Sequence, residues 1–178
     1  MTYTLLQQGC GATVYAFTGH RPSKLGGYGY TSVERLYRFA IQTLKSCCTH
    51  NPVIISGMAL GWDQAVAMAG IHLGMPVIAA VPCLGQDSQW PDLSQHRYDQ
   101  ILSKCSIVHL CSVSKYDPSK MHLRNRWMVD SCNKLVALWD GTHGGTAGCV
   151  QYATHRKVDI LNVWDQWSVF EDNARTAS

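Results

Sequence analysis

The sequence predicts an α/β fold. It should be a doubly wound, mostly parallel, Rossmann-like sheet with helices on both faces, in a single domain over residues 1–178 with its core at about 13–163. Two observations point there. Short β-branched runs alternate with helical patterns along the chain, which is the order of repeated βα units. Runs such as Val53-Ile54-Ile55 and Val77-Ile78-Ala79-Ala80 are continuously apolar rather than alternating, as strands buried on both faces are. Right-handed crossovers then stack the units, and ligands of such sheets bind beyond the carboxyl ends of the strands.

Thr13 to Phe17 reads as the first strand, stopped by Gly19. Ser32 to Cys48 carries Val33, Leu36, Tyr37, Ala40, Ile41 and Leu44 at the three-four spacing of an amphipathic helix. Thr31 and Glu34 have capping-box spacing at its start. Pro52 to Ser56 is the second strand, followed by a helix to about Leu73, which Gly74 and Pro76 end. Val77 to Val81 is the third strand. A loop around Gln86 to Leu93 leads to a helix at Ser94 to Lys104, then a strand at Ser106 to Cys111 and a helix at Lys120 to Asn133. Lys134 to Trp139 is a strand, a glycine-rich turn follows, and a helix runs from about Ala147 to Arg156. Val158 to Val163 closes the sheet, and the tail at 168–178 is expected to fray.

With 178 residues, 46% hydrophobic and 15% charged, the chain suits a packed core and not a disordered coil. The formal charge of +3 is small, and the basic residues are scattered, Arg124 with Arg126 being the nearest thing to a cluster. That suits an anionic small molecule better than a polyanion. Eight cysteines without a Cys-x-x-Cys, two of them adjacent at Cys47 and Cys48, read as buried reduced thiols. Met1 to Gln8 has no basic stretch of a secretion signal, and no apolar run spans a membrane. A cytoplasmic protein without membrane association is expected.

Five segments carry chemistry. Thr18-Gly19-His20-Arg21 leaves the first strand with a hydroxyl, an imidazole and a guanidinium, and Lys24 follows before Gly26 and Gly27. Arg21 can take phosphate oxygens bidentately. Ser56-Gly57-Met58-Ala59-Leu60-Gly61-Trp62-Asp63 runs from a strand through glycines into a helix, gathering free N–H groups that attract anions. Asp63 there serves either as acceptor for a sugar hydroxyl or as a first-turn acid facing the helix dipole. Asp140-Gly141-Thr142-His143-Gly144-Gly145-Thr146 repeats the strand–glycine–helix pattern. Two such turns at strand ends of one sheet would converge on one crevice. On the helix Met121 to Asp130, Arg126 and Asp130 are four apart and read as a surface pair, or else Asn125 and Asp130 read a base or a ribose. Pro82, Gln86, Gln89, Trp90 and Tyr98 form the fifth segment, where the aromatics either stack on a base or cover the core. Cys105, His109 and Cys111 share one face of a strand, but packing explains them, and no metal is expected.

These segments, in this order and with Gln89-Trp90-Pro91 and Tyr116-Asp117-Pro118 between them, resemble the SLOG superfamily. That group is named for the DNA-processing protein DprA (also called Smf) and the cytokinin-activating enzyme LOG. The YspA/YpsA-like branch is the nearest, on Thr18-Gly19-His20-Arg21-Pro22 with Lys24-Leu25-Gly26-Gly27-Tyr28 above all. The resemblance covers Phe17 to about Val163 and implies a Rossmannoid fold, often dimeric, that binds nucleotides or nucleotide-derived signals in bacteria and their phages, in places near stress and conflict systems. LOG-type hydrolases carry a glutamate just after their glycine-threonine turn. Here Thr146 is followed by Ala147, Gly148 and Cys149.

The function expected is therefore binding of a nucleotide or nucleotide-derived small molecule, as a sensor or sequestering protein. Thr18, Gly19, His20, Arg21, Ser56, Gly57, Met58, Ala59, Gly61, Asp63, Pro82, Arg124, Asn125, Asp130, Asp140, Gly144, Gly145 and Thr146 would supply the site. The rival is an enzyme cleaving an N-glycosidic bond in a nucleotide, with Asp63 or Glu34 as base or nucleophile and His20 as acid. No cofactor is expected, a homo-oligomer (dimer or higher) is, and nucleic acid is not, single-stranded DNA being the third and least favoured reading.

Overall fold

The computed structural model describes residues 11–49, 51–115 and 117–176. Among these, six strands form one sheet, β1 (Thr13–Gly19), β2 (Pro52–Ser56), β3 (Val77–Val81), β4 (Ile107–Leu110), β5 (Lys134–Leu138) and β6 (Asp159–Asn162). All pairings are parallel, in the order β4-β3-β2-β1-β5-β6. The six helices are α1 (Tyr30–Cys47), α2 (Trp62–His72), α3 (Asp92–Leu102), α4 (Pro118–Asp130), α5 (Gly145–His155) and α6 (Trp164–Thr176).

Alternation along β1 divides the core. Tyr15 and Phe17 face one layer with Leu36, Phe39, Val66, Tyr98 and Trp167, drawn from α1, α2, α3 and α6. Val14 and Ala16 face the other with Met128, Val129, Cys149 and Val150, from α4 and α5. The chain winds outward from β1 to β4 on the first face, then crosses to β5 on the other side of β1. The direction in which successive strands are added thus reverses between β1 and β5, and the crevice of a doubly wound sheet opens at such a point. Register brings the strand ends level, with Phe17 beside both Ser56 and Val136 and Gly19 beside Leu138.

Several expectations change in detail. β1 continues through Thr18 and Gly19 instead of stopping before the glycine, because both pair with β5. The Thr31–Glu34 capping box does not form. Gly29 caps α1 without a side-chain bond, Glu34 pairs with Arg38 at 2.9 Å, and Ser32 Oγ donates to the Gly26 carbonyl at 2.6 Å. α4 starts two residues before Lys120 because Asp117 caps it, accepting from the Ser119 amide at 2.8 Å. Tyr116, the preceding residue of that motif, lies outside the described residues, as do Met1 to Cys10.

The tail corrects most. Residues 168–176 belong to α6, where fraying was expected. Trp164, Trp167 and Phe170 recur every three residues, and Trp167 is only 4% exposed. Phe39 of α1 meets Trp167 at 5.2 Å and Phe170 at 5.4 Å between ring centroids. Burying such rings gives about 1.5–3 kcal/mol each, enough to hold the helix against fraying. The seven described cysteines are all free. Among the described residues, no helix is long and apolar enough to cross a membrane.

Candidate functional site

Three strand ends build the site. After β2 the chain turns through Ser56-Gly57-Met58-Ala59-Leu60-Gly61 into α2. Met58 adopts φ 58°, the left-handed region that costs a non-glycine residue about 1 kcal/mol or more. It is held there from several sides. Its side chain is fully buried, its amide donates to Ser56 Oγ at 3.1 Å, and its carbonyl accepts from Gln86 Nε2 at 2.9 Å and Gln64 Nε2 at 3.4 Å. Gly61 caps α2 at φ 98°, and a Cβ there would lie 2.8 Å from the His20 carbonyl oxygen. Only glycine fits both demands.

Arg124 reaches this turn from α4. It is 6% exposed, and its Nη1 donates to the Gly57 carbonyl and lies 3.5 Å from Asp63 Oδ2. A Cβ on Gly57 would overlap the guanidinium, so the missing side chain is what admits the arginine. Asp63, 4% exposed, also accepts from the Ala59 amide at 3.4 Å. Burial raises its pKa above the ordinary carboxylate value, and Arg124, Arg21 and the Ala59 amide oppose that rise without cancelling it. The Arg124 Nε is buried without a hydrogen-bond partner.

The ends of β1 and β5 are clamped together. His20 Nε2 sits 2.6 Å from Asp140 Oδ1 and 3.1 Å from the Asp140 amide. Lys24 Nζ lies 3.0 Å from Asp140 Oδ2 and also donates to the Thr142 hydroxyl. The Thr142 amide and hydroxyl both donate to Asp140 Oδ1, at 2.9 and 2.5 Å. Burial alone would raise the Asp140 pKa, but the bonds from Thr142, Lys24 and His20 together outweigh it and hold the carboxyl well below its usual value. For His20 the balance runs the other way. Burial lowers its pKa further than Asp140 raises it, so the neutral imidazole is favoured.

Between these groups lies a cleft of about 310 Å³. Thr18, Gly19, His20 and Arg21 line it from the end of β1 and the loop after it, Ala59 from the β2 turn, Asp63 from the first turn of α2, Arg124 and Asn125 from α4, and Gly144, Gly145 and Thr146 from the start of α5. Gly144 caps α5 without a side-chain bond, leaving first-turn N–H groups at the wall, where they favour an anion. Asn125 Nδ2 donates to the Gly145 carbonyl at 3.3 Å and fixes α5 against α4.

The other expected site residues stand elsewhere. Ser56, Gly57 and Met58 frame the turn behind the wall, and Gly61 faces a small recess with Pro22 and Gln64. Asp140 holds His20 and Lys24 from outside the lining, and Pro82 is buried and not among the lining residues. Two candidates are corrected. Asp130 does not reach the cleft. It sits six residues beyond Arg124, roughly 9 Å along the helix, where it pairs with Arg156 at 2.8 Å and accepts from the Tyr152 hydroxyl at 3.0 Å. Glu34 is on the open face of α1, paired with Arg38, outside the cleft lining. Ser23, Lys24 and Met121 complete the wall and were not among the expected site residues. Lys24 was within reach of sequence reasoning, three residues after Arg21 in one loop. Gln86 belongs to the fifth segment, though nothing there signals its supporting role, and Gln64 carries no sequence signal of its bond to the Met58 carbonyl.

Residues 31–175 match the family described as DNA recombination-mediator protein A. The chain belongs to that family. It is 31% identical over 115 residues to the uncharacterized SPbeta prophage-derived protein YoqJ of Bacillus subtilis (strain 168), covering 56% of this chain and 67% of that one. It is 26% identical over 170 residues to a UPF0398 protein of Bacillus cereus (strain AH820), covering 89% and 91%. Among solved structures, DNA processing protein A (DprA) of Streptococcus pneumoniae superposes with a TM-score of 0.59 at 21% identity. The Helicobacter pylori protein gives 0.59 at 18%. The chain spans 50% and 63% of those two proteins while they cover 84% and 83% of it. At such identities the likeness shows the fold.

The Helicobacter pylori structure concerns a single-stranded DNA binding mode. This overturns the expectation that nucleic acid is an unsuitable partner. That expectation rested on a net charge of +3 and the lack of a contiguous basic run. A field depends on where charges meet in space, and the fold brings Arg21, Lys24 and Arg124 to one cleft from distant positions.

Proposed function

We propose that the cleft binds the phosphate-bearing part of a nucleotide or nucleotide-derived small ligand, and that the protein acts as a sensor or sequestering protein for it. The observation that carries this reading is the convergence of Arg21, the α5 amides at Gly144 to Thr146 and the buried Arg124 on one crevice. Backbone N–H groups at a helix start and a guanidinium fork suit phosphate oxygens. Asp63 and Asp140 do not cancel this field, since each carboxylate is already engaged by a cation or hydrogen-bond donors on its own side.

Binding is favoured over hydrolysis. Ala147 stands where LOG-type enzymes place their glutamate, Glu34 is outside the cleft lining, and Asp63 is occupied by Arg124 and the Ala59 amide. Calorimetric titration of nucleoside mono-, di- and triphosphates tests the reading, with chromatography for free base. A measurable affinity without released base is expected, weakened about tenfold by Arg21→Ala, the 1.4 kcal/mol of one charge-assisted contact. No binding by any nucleotide, or equal binding by Arg21→Ala, refutes it.

A second reading, a single strand of DNA along the same phosphate site, is favoured by the Helicobacter pylori protein. It differs in salt dependence, because log affinity for single strands falls with log salt at a slope of about −0.7 per phosphate contacted. A steep slope with oligonucleotides and weak mononucleotide binding would favour this second reading.

A further inference from the structure

Beside the phosphate cleft, and sharing Lys24 with it, is a second hollow of about 220 Å³ against α6. We propose that it is the base-recognition subsite of the same ligand and that it takes guanine. The inference rests on the reading of the cleft as a phosphate site.

Placement comes first. α6 begins two residues after β6 ends, so Trp164 stands at the carboxyl edge of the sheet, the edge at which the cleft opens. His20, a cleft residue, touches the Trp164 ring edge to face at 5.7 Å between centroids. The two hollows are thus separated by one imidazole and the Lys24 side chain. At 220 Å³ the second is smaller than the ~300–1,000 Å³ of a site for a whole drug-sized molecule, and suits one part of a longer ligand.

Chemistry comes second. The hollow presents indole surface from Trp164 together with Ser168, Glu171 and Asp172. Aromatic rings stack on bases, and a carboxylate accepts from base N–H groups. Glu171 is held by Arg35, with Nε to Oε1 at 2.8 Å, whereas Asp172 is exposed. A carboxylate there meets two parallel donors, N1–H and N2–H, on guanine, one amino group on adenine, and one N–H flanked by acceptors on uracil. The ordering guanine, adenine, uracil follows.

The test titrates GMP, UMP and ribose 5-phosphate into the full chain, following both heat and tryptophan fluorescence. Asp172→Asn is an exposed change that leaves the fold intact. It should weaken GMP about tenfold and leave UMP and ribose 5-phosphate unchanged, and GMP but not ribose 5-phosphate should quench Trp164, a signal lost in Trp164→Phe. Unchanged GMP affinity in Asp172→Asn, or equal weakening of all three ligands, overturns the base subsite. In that event, ribose 5-phosphate binding that falls in Arg21→Ala leaves the cleft reading standing. Failure of ribose 5-phosphate and both nucleotides to bind the unaltered protein removes the cleft reading, and the base subsite with it.

Discussion

Replacing Arg124 by alanine tests how the site is held together. The guanidinium is 6% exposed, donates to the Gly57 carbonyl and faces Asp63 at 3.5 Å. Removing one member of a buried ion pair costs about 3–5 kcal/mol, since the other is left uncompensated. The cleft lets water reach the vacated space, so about 3 kcal/mol is expected. With a urea slope of about 2 kcal/mol/M for a domain of this size, the unfolding midpoint should fall by roughly 1.5 M at unchanged slope.

The loss should also depend on pH. The Asp63 pKa is already raised by burial, and Arg124 is the largest opposing influence, so it should rise further in Arg124→Ala. A carboxyl whose folded pKa exceeds its unfolded value destabilises the fold as pH climbs through that interval. The gap between the two proteins should therefore widen from acid to neutral pH and narrow again on acidification. Asp63→Asn added to Arg124→Ala should recover about 1–2 kcal/mol at pH 7, because the uncompensated charge is gone. A loss under 1 kcal/mol, or strict additivity of the two substitutions, would refute the reasoning that this pair braces the turn.

Three further outcomes follow from the same contacts. Gly57→Ala puts a methyl group where the guanidinium lies and 2.7 Å from Asp63 Oδ2 and should cost about 2–3 kcal/mol; in an Arg124→Ala background the larger overlap is gone and the cost should fall, and equal costs in both backgrounds would contradict the steric account. Gln86→Ala removes the shorter of the two amide bonds to the strained Met58 carbonyl and should lower stability by about 1 kcal/mol, which denaturant titration would detect or exclude. His20 has its pKa lowered by burial from 6.5, so the stability it supports is full above pH 6.5 and is lost as pH falls through the folded pKa. His20→Gln should flatten the decline in thermal midpoint from pH 7 to 5 without abolishing it, since His109 is lowered by burial too; identical slopes would count against the neutral imidazole.

The sheet was legible because its strands are buried on both faces and so read as unbroken apolar runs. Sequence position at a strand end was also informative, since a parallel sheet carries every such end to one edge. Thr18 to Arg21 and Gly144 to Thr146 meet there, though more than a hundred residues separate them. Helix residues were less legible. Arg124, Asn125 and Asp130 lie within two turns of one helix, yet a facing direction and a few ångströms of rise decide that the first two reach the cleft and the third pairs with Arg156. α6 was misread for a related reason. Asp165, Ser168, Glu171 and Asp172 dilute its composition, while the three-residue recurrence of Trp164, Trp167 and Phe170 makes it a packed helix.

The partner was misjudged on different grounds, because a count of charges ignores how they are engaged. Arg124 is committed to the Gly57 carbonyl and Asp63, and Lys24 to Asp140 and Thr142. Besides lining the crevice, they offset the charge of its two carboxylates, Asp63 and Asp140. On the proposed reading, an incoming phosphate would face the exposed Arg21 together with the α5 amides, although the cleft's cations and carboxylates nearly balance. On that reading, a chain of charge +3 would present a site for an anion without any basic stretch in its sequence. Recognition of one phosphate depends on a few oriented N–H groups in a crevice, and net charge carries no record of their direction.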